Sequence, residues 1–301
     1  MKSVHRPPTE FGNFTILATE GCPHNKCEFC STFKNTKFKI RSVEDICEDI
    51  EKMKGLDRTG IKGMFLAGGN SIALNTDDLI NIINFAYETL PGLEWVSSNA
   101  SAKFVLKKGT NDLKRLMEAG LRKLYMGLET GDEKLLREIK KGVTPEELIQ
   151  AGKMVIDSGI KLSQTIIIGL GGKDGSKRHI NETAEILSEI NPDQIRLHTL
   201  TFIPGTPLYE RKIKGQFEAI EPKDTLTEMK SLISALNVES EIISHRSNYI
   251  MFSGLLPEDR VKLIEMIDFT LSQKGSKKWA SELFSYSIAK FLFDFKQVME
   301  K

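Results

Sequence analysis

The sequence has almost no excess charge, few cysteines and no long apolar stretch. Lysine and arginine number 42 against 41 aspartates and glutamates in 301 residues, a formal net charge of +1 at pH 7. Such a balance gives no electrostatic reason for sequence-independent binding to nucleic acid or to a membrane surface. No apolar run approaches the ~18 residues that a membrane-spanning helix requires. The opening Met1-Lys2-Ser3-Val4-His5-Arg6 lacks the apolar centre of a secretory signal. Short-period repeats, low-complexity tracts and charge blocks are also missing. Together these absences predict a cytoplasmic globular protein with no membrane partner. Four cysteines are too few for a disulfide framework in a chain that can bury roughly three quarters of its unfolded surface. Three of them, Cys22, Cys27 and Cys30, nevertheless fall within nine residues. Thiols clustered in this way in an intracellular chain more often hold a metal than bridge each other.

What is present is an alternation of short β-type runs with helical patterns. Candidate strands cover 14–19, 62–67, 93–99, 123–129, 161–169 and 195–202, and amphipathic stretches cover 43–53, 77–90, 111–119, 145–158 and 179–190. Strand–helix alternation predicts βα units around a parallel sheet. Six such units fit an α/β fold of the partial (β/α)6 TIM-like barrel kind over residues 1–210. Beyond 210 the strand signal fades, so 211–301 reads as a mainly helical extension packing on the barrel, with an ordered loop at 244–252. There His245, Arg246, Asn248 and Tyr249 form a polar and aromatic cluster suited to covering the barrel mouth, or to an ordinary surface loop. The last helical stretch carries Phe284, Ile288, Phe291, Leu292 and Phe295 at helical spacing, a stripe that reads as core packing.

The first helix illustrates the patterning. Ser42 and Asp45 have the capping-box spacing, and Val43, Ile46, Cys47 and Ile50 recur at offsets of three, four and seven. Cys47 therefore reads as a small core residue. In the fourth strand Leu124, Met126 and Leu128 share one face while Tyr125, Gly127 and Glu129 share the other. Glu129 is thus expected to point inward near the carboxyl end, as are Arg196 and His198 of the sixth strand. Carboxyl ends of parallel strands are where such folds place chemistry. Arg196 and His198 are accordingly the candidates for substrate contact or proton transfer; His5 and His179 have no supporting context.

Cys22-Pro23-His24-Asn25-Lys26-Cys27-Glu28-Phe29-Cys30 directly follows the first candidate strand. Three readings are open. A structural zinc site would use the three thiolates and His24, although such sites usually draw on two separated pairs. A plant-type [2Fe-2S] centre has the same C-x4-C-x2-C spacing but needs a fourth cysteine, for which only Cys47 is on offer. A [4Fe-4S] cluster with three protein ligands would leave one iron open.

The cysteine triad with Phe29 before its last member resembles the radical S-adenosylmethionine superfamily, and further motifs follow in order over roughly residues 12–210. Gly68-Gly69-Asn70 after the second strand looks like the superfamily's glycine-rich motif, which binds the methionyl amino group. Gly127-Leu128-Glu129-Thr130 is similar to the position contacting the ribose or methionyl part. The stretch around Ile168 and Gly169 resembles the adenine-flanking segment. Pro204-Gly205-Thr206-Pro207 is a turn also seen in the branch with coproporphyrinogen oxidase-like and methylthiotransferase-like enzymes. Two departures stand out: the superfamily's usual triad is C-x3-C-x2-C, one residue shorter, and Asn70 replaces a common Glu, keeping an acceptor but losing a charge.

The resemblance implies a [4Fe-4S] cluster on Cys22, Cys27 and Cys30, with the open iron chelated by S-adenosyl-L-methionine. Phe29, Gly68, Gly69, Asn70, Glu129, Ile168 and Gly169 would then be cofactor-binding. An electron from a donor such as flavodoxin or ferredoxin would cleave the sulfonium to a 5′-deoxyadenosyl radical, which abstracts hydrogen from a small-molecule or macromolecular substrate. With no second cysteine cluster and only about a dozen residues ahead of the first strand, neither an auxiliary cluster nor a preceding cobalamin domain is expected. The rival is a non-catalytic iron–sulfur or zinc protein using the barrel as a binding scaffold.

Overall fold

The computed structural model describes residues 6–54, 60–245 and 249–272. Its elements are, in order, β1 (Phe14–Leu17), β2 (Thr19–Glu20), β3 (Lys39–Ile40), α1 (Val43–Lys54), β4 (Gly63–Ala67), α2 (Thr76–Thr89), β5 (Trp95–Ala100), α3 (Ala102–Ala119), β6 (Leu121–Glu129) and α4 (Glu133–Glu138). There follow α5 (Pro145–Asp157), β7 (Lys161–Ile168), α6 (Gly172–Ile190), β8 (Gln194–Thr199), α7 (Pro207–Ile213), α8 (Pro222–Ala235), β9 (Ser240–Ser244), β10 (Phe252–Leu256) and α9 (Arg260–Ser272). Eight strands form one sheet in the order β1-β4-β5-β6-β7-β8-β9-β10, and β2 and β3 form a separate pair. The class is α/β with a mostly parallel sheet, as the alternation predicts. Among the described residues no helix is long and apolar enough to cross a membrane.

The chain divides into two compact units. One comprises residues 1–127, 137–163 and 203–207; the other comprises 128–136, 164–202 and 208–301. In the first, β1, β4, β5 and the start of β6 pair in parallel, with Thr15 beside Phe65, Phe65 beside Ser97 and Ser97 beside Lys123. Ile16, Leu66 and Leu124 fall on the opposite face and are fully buried. On the Phe65 face, Tyr125 meets Phe65 edge-on, with ring centroids 6.0 Å apart. The Tyr125 hydroxyl donates to Glu10 Oε1 at 2.5 Å and lies 2.9 Å from Thr9 Oγ1. The segment ahead of β1 is thus hydrogen-bonded to Tyr125 of β6, a tie no periodicity signals.

In the first unit α5 begins where the sequence places it, because Thr144 and Glu147 form a capping box around Pro145 at the first turn. The buried side of α1 consists of Ile46 and Ile50, while Cys47 sits half-buried at its flank rather than in the core. Helix α3 starts at Ala102, nine residues before the predicted stretch. Gly109, at φ 78°, breaks the helical geometry inside it and so interrupts the period that pattern reading follows.

In the second unit β8 pairs in parallel with β9, and β9 in antiparallel with β10. These two strands lie in the stretch expected to be mainly helical, where they accompany α8 and α9. Each has five residues, and β10, Phe-Ser-Gly-Leu-Leu, lacks a clean alternation, so neither stands out from its flanks. Helix α6 starts seven residues ahead of the predicted stretch because Gly171, Gly172 and Gly175 mask its first two turns. Residues Phe284 to Phe295, together with His5, Arg246 and Asn248, lie outside the described residues.

Candidate functional site

In the first unit the cysteine loop is closed at its base. Thr19 pairs with Ile40 and Glu20 with Lys39, so residues 21–38 leave and return at one point. Arg41 reinforces the closure by donating to Leu17 O at 2.7 Å and pairing with Asp49 at 2.7 Å. Inside the loop Asn25 adopts φ 44°, a left-handed conformation that asparagine tolerates better than most residues. Its side chain donates to Phe33 O at 2.8 Å, its carbonyl accepts from Lys34 Nζ at 3.2 Å, and its N–H points to Cys22 Sγ at 3.5 Å. The residue that makes the triad one longer than usual is therefore absorbed by a turn built on Asn25. Glu28, between Cys27 and Cys30, is anchored by its N–H to Ile139 O at 2.9 Å and its carboxylate to Lys140 at 2.9 Å.

None of the three cysteines is in a disulfide, and all three are half-buried. His24 turns to the 140–142 turn: its Nε2 is 2.6 Å from Lys140 O, and a Cβ on Gly142 would come within 2.6 Å of its ring. Among the described residues no three His, Cys, Asp or Glu side chains converge on a single ion. A cube, by contrast, takes its thiolates one per iron.

The glycine turn after β4 packs directly on this loop. A Cβ on Gly69 would collide with Gly21 O and lie 2.8 Å from Cys22 Cα, and one on Gly68 would collide with Thr19. Only glycine permits this approach. Gly68 O accepts from Asn99 Nδ2 at 3.0 Å, and the Asn70 side chain donates through Nδ2 to Ser101 Oγ at 3.0 Å. That bond fixes the amide so that Oδ1 is left buried with no hydrogen-bond partner, although Asn70 is only 1% exposed. An acceptor in that position is costly unless a ligand donor completes it. Asn99 and Ser101, which orient this turn, were not singled out by the sequence reading.

In the second unit Glu129 ends β6 at φ 68°, an uncommon conformation for a residue with a side chain, and is 9% exposed. The residues after it are clipped to α6. Thr130 Oγ1 lies 2.8 Å from His179 Nδ1, the Gly131 N–H donates to Thr183 Oγ1 at 2.8 Å, and Arg178 pairs with Asp132 at 2.6 Å. His179 Nε2 completes the bridge by donating to Ile167 O at 3.1 Å, which leaves Nδ1 to accept from Thr130. Complete burial lowers the His179 pKa to about 4, so the ring is neutral. A histidine without context in the sequence thus fastens the β6 end to the β7 end.

Ile168 is fully buried, and Gly169 turns out of β7 at φ 85°. The Gly169 N–H donates to Glu228 Oε2, from α8, at 2.7 Å. Arg196 is 7% exposed and donates through Nη2 to Thr165 Oγ1 at 2.5 Å. The His198 ring meets His245 edge-on at 6.3 Å between centroids. Burial, and then the charge of Arg196, lowers the His245 pKa. The structure therefore joins Arg196 and His198 to His245 in one cluster, with Glu241 also acting on His245. Tyr249 is 38% exposed.

These residues fit the cofactors implied by the resemblance. Three cysteines outside any disulfide on one closed loop are the donor set of an iron–sulfur cluster with one open iron. The unsatisfied Asn70 Oδ1, carried beside the cysteine loop by the Gly68–Gly69 turn, suits an ammonium-bearing ligand. The comparisons with known proteins agree. Residues 16–187 match the radical SAM superfamily, whose members bind a [4Fe-4S] cluster and S-adenosylmethionine. An uncharacterized methyltransferase of Pyrococcus horikoshii is 27% identical over 243 residues, a match covering 79% of this chain and 50% of that protein. Methylornithine synthase superposes with a TM-score of 0.51 at 18% identity, over 90% of this chain and 85% of that one. Coproporphyrinogen III oxidase from Escherichia coli superposes with a TM-score of 0.56 at 18% identity, over 74% of this chain and 51% of that one. The chain thus spans about half the length of the curated methyltransferase, and its fold is the partial TIM-like βα barrel of these structures. Since the matched residues make up more than half of its length, the chain belongs to the radical SAM superfamily.

Proposed function

We propose that this chain is an enzyme that reductively cleaves S-adenosylmethionine and uses the product to remove hydrogen from a substrate. The observation that carries this reading is the Gly69 backbone packed on Cys22, with Asn70 Oδ1 left open beside it. When bound, the cluster and S-adenosylmethionine supply one-electron cleavage of the sulfonium to methionine and a 5′-deoxyadenosyl radical.

The protein's part is placement. Cys22, Cys27 and Cys30 would hold the cluster, with the Asn25 N–H directed at Cys22 Sγ. Asn70 Oδ1 accepts from the methionyl ammonium group. The Gly68–Gly69 turn lets the end of β4 pack against Thr19, Gly21 and Cys22, which brings Asn70 up beside the cysteine loop. Glu129, held by its unusual backbone angle, takes the ribose or methionyl part, and the Gly169 turn flanks the adenine. Phe29, half-buried next to Cys30, belongs to the same cofactor-binding loop. Arg196, His198 and His245 are assigned to the substrate; a guanidinium beside two imidazoles, of which His245 is pushed toward its neutral form, favours a substrate with a strongly hydrogen-bond-accepting group. Holding the reacting atoms about 3–3.5 Å apart is the main contribution the chain makes to rate. The electron comes from a small reductant protein of the flavodoxin or ferredoxin kind.

Anaerobic reconstitution with iron and sulfide tests the reading. About four irons per chain and dithionite-dependent release of 5′-deoxyadenosine are expected. Tight zinc binding at the same thiols with no nucleoside product would replace it with the scaffold alternative.

A further inference from the structure

Glu228 is a nearly buried carboxylate of the second unit. It sits on α8, remote in sequence from every cofactor motif, and is 4% exposed. Its Oε2 accepts the Gly169 N–H at 2.7 Å, while Oε1 is buried with no hydrogen-bond partner. Gly169 is the pivot of its turn. It has φ 85°, its carbonyl accepts the Gly172 N–H at 3.1 Å, and a Cβ there would press on Ile220 at 3.3 Å. The N–H of a residue in this conformation has no strand or helix partner of its own, so the carboxylate decides where the turn sits. Behind the carboxylate lies a cavity of about 480 Å3 between α6 and α8, lined among others by Lys173, Ser176, Lys177 and Asp224. This gives the group a route to solvent protons.

We propose that Glu228 is a positioning residue for the adenine-flanking turn: by accepting the Gly169 N–H it holds that turn in its ligand-receiving geometry, and its ionisation tunes S-adenosylmethionine affinity. The proposal rests on the assignment of Gly169 to the cofactor. Burial pushes the carboxyl up to about 7, helped by the negative charge of Asp224 and opposed by the Ser176 hydroxyl and the Gly169 N–H. Lys177 and Lys173, the latter paired with Glu218, are the cations lining the same cavity. A carboxylate is a stronger acceptor than the neutral acid, roughly by a factor of two in bond strength. The turn is therefore held more firmly at pH 8 than at pH 6. His179 stays neutral throughout that window and adds no slope.

The test compares the cluster-reconstituted wild type with Glu228→Gln and Glu228→Ala. S-adenosylmethionine binding is measured by calorimetry between pH 6 and 8, and Gly169 amide exchange is measured without ligand. Wild-type affinity is expected to rise about three- to tenfold across the window, the scale of one charge-assisted hydrogen bond against a neutral one. Glu228→Gln keeps an acceptor and should lose that slope. Glu228→Ala should bind more weakly at every pH and exchange the Gly169 amide faster, with iron content unchanged in both. If Glu228→Gln retains the wild-type slope, or Glu228→Ala binds and exchanges like wild type, the inference is overturned while the functional reading stands. If the wild type takes up no S-adenosylmethionine at any pH, the functional reading falls and the inference with it.

Discussion

Gly69→Ala is the sharpest perturbation the geometry offers. Gly69 does not have a positive φ, so an alanine there carries no backbone strain and only space decides. The added methyl would lie 2.8 Å from Cys22 Cα, where ordinary carbon contacts begin near about 3.5 Å, and closer still to Gly21 O. Neither neighbour is a flexible side-chain tip. Gly21 is itself wedged, since a Cβ on it would meet Thr36 O at 2.8 Å and Lys37 O at 2.9 Å. The loop can yield only by moving as a body, by an amount on the order of 1 Å. A displacement of that size at a reacting centre costs roughly 100-fold in rate. The assay is anaerobic: iron and sulfide per chain, S-adenosylmethionine affinity by calorimetry, and 5′-deoxyadenosine release with dithionite. The expected variant keeps its three thiols and loads iron, but binds S-adenosylmethionine at least tenfold more weakly and turns over about 100-fold more slowly. Gly175→Ala is the control. Its nearest neighbour would be 3.8 Å away and it lies within α6, so the change should be neutral or slightly stabilising. Wild-type affinity and rate in Gly69→Ala would refute the claim that this backbone contact shapes the ligand site.

Other expectations follow from the same geometry. Asn70→Ala removes the unsatisfied acceptor and should weaken S-adenosylmethionine binding by about 10- to 100-fold, the worth of a hydrogen bond to a charged donor, without lowering iron content. Cys27→Ala should abolish cluster iron, whereas Cys47→Ala should leave it intact; its thiol pKa is raised by burial and by Glu44, away from the thiolate a ligand must be. His179 is depressed to about 4 against an unperturbed 6.5, so the stability it contributes is present above pH 6.5 and is lost as pH falls from there through 4. The loss amounts to about 3 kcal/mol at 1.36 kcal/mol per unit. Denaturant unfolding of wild type and His179→Gln at several pH values should show that slope in the wild type and not in the variant.

The parts of this molecule legible in the sequence are those where one residue type does one job. Ile46 and Ile50 recur because a helix buries one face, and Leu124, Met126 and Leu128 alternate because a strand does. The three cysteines announce a soft-metal site wherever they stand. The starts of two helices lie earlier than the pattern predicts because glycine breaks the period, at Gly109 in α3 and at Gly171 and Gly172 where α6 begins. The two-residue strands β2 and β3, which close the cysteine loop, are too short to carry any period. What the sequence hid most completely is the layer behind the candidate site residues. Asn99 and Ser101 reach Gly68 and Asn70 across about 30 residues, His179 reaches Thr130 across 49, and Glu228 reaches Gly169 across 59. Such pairs are created by topology, and nothing local distinguishes their members from surface polar residues.

The most direct trial of the whole account is electron–nuclear double resonance on the dithionite-reduced, reconstituted protein mixed with S-adenosylmethionine carrying 15N in its methionyl amino group. Coupling between that nitrogen and the cluster spin is the predicted result, with the coupling weakened in Asn70→Ala. A cluster spectrum indifferent to the labelled compound at saturating concentration would contradict the account.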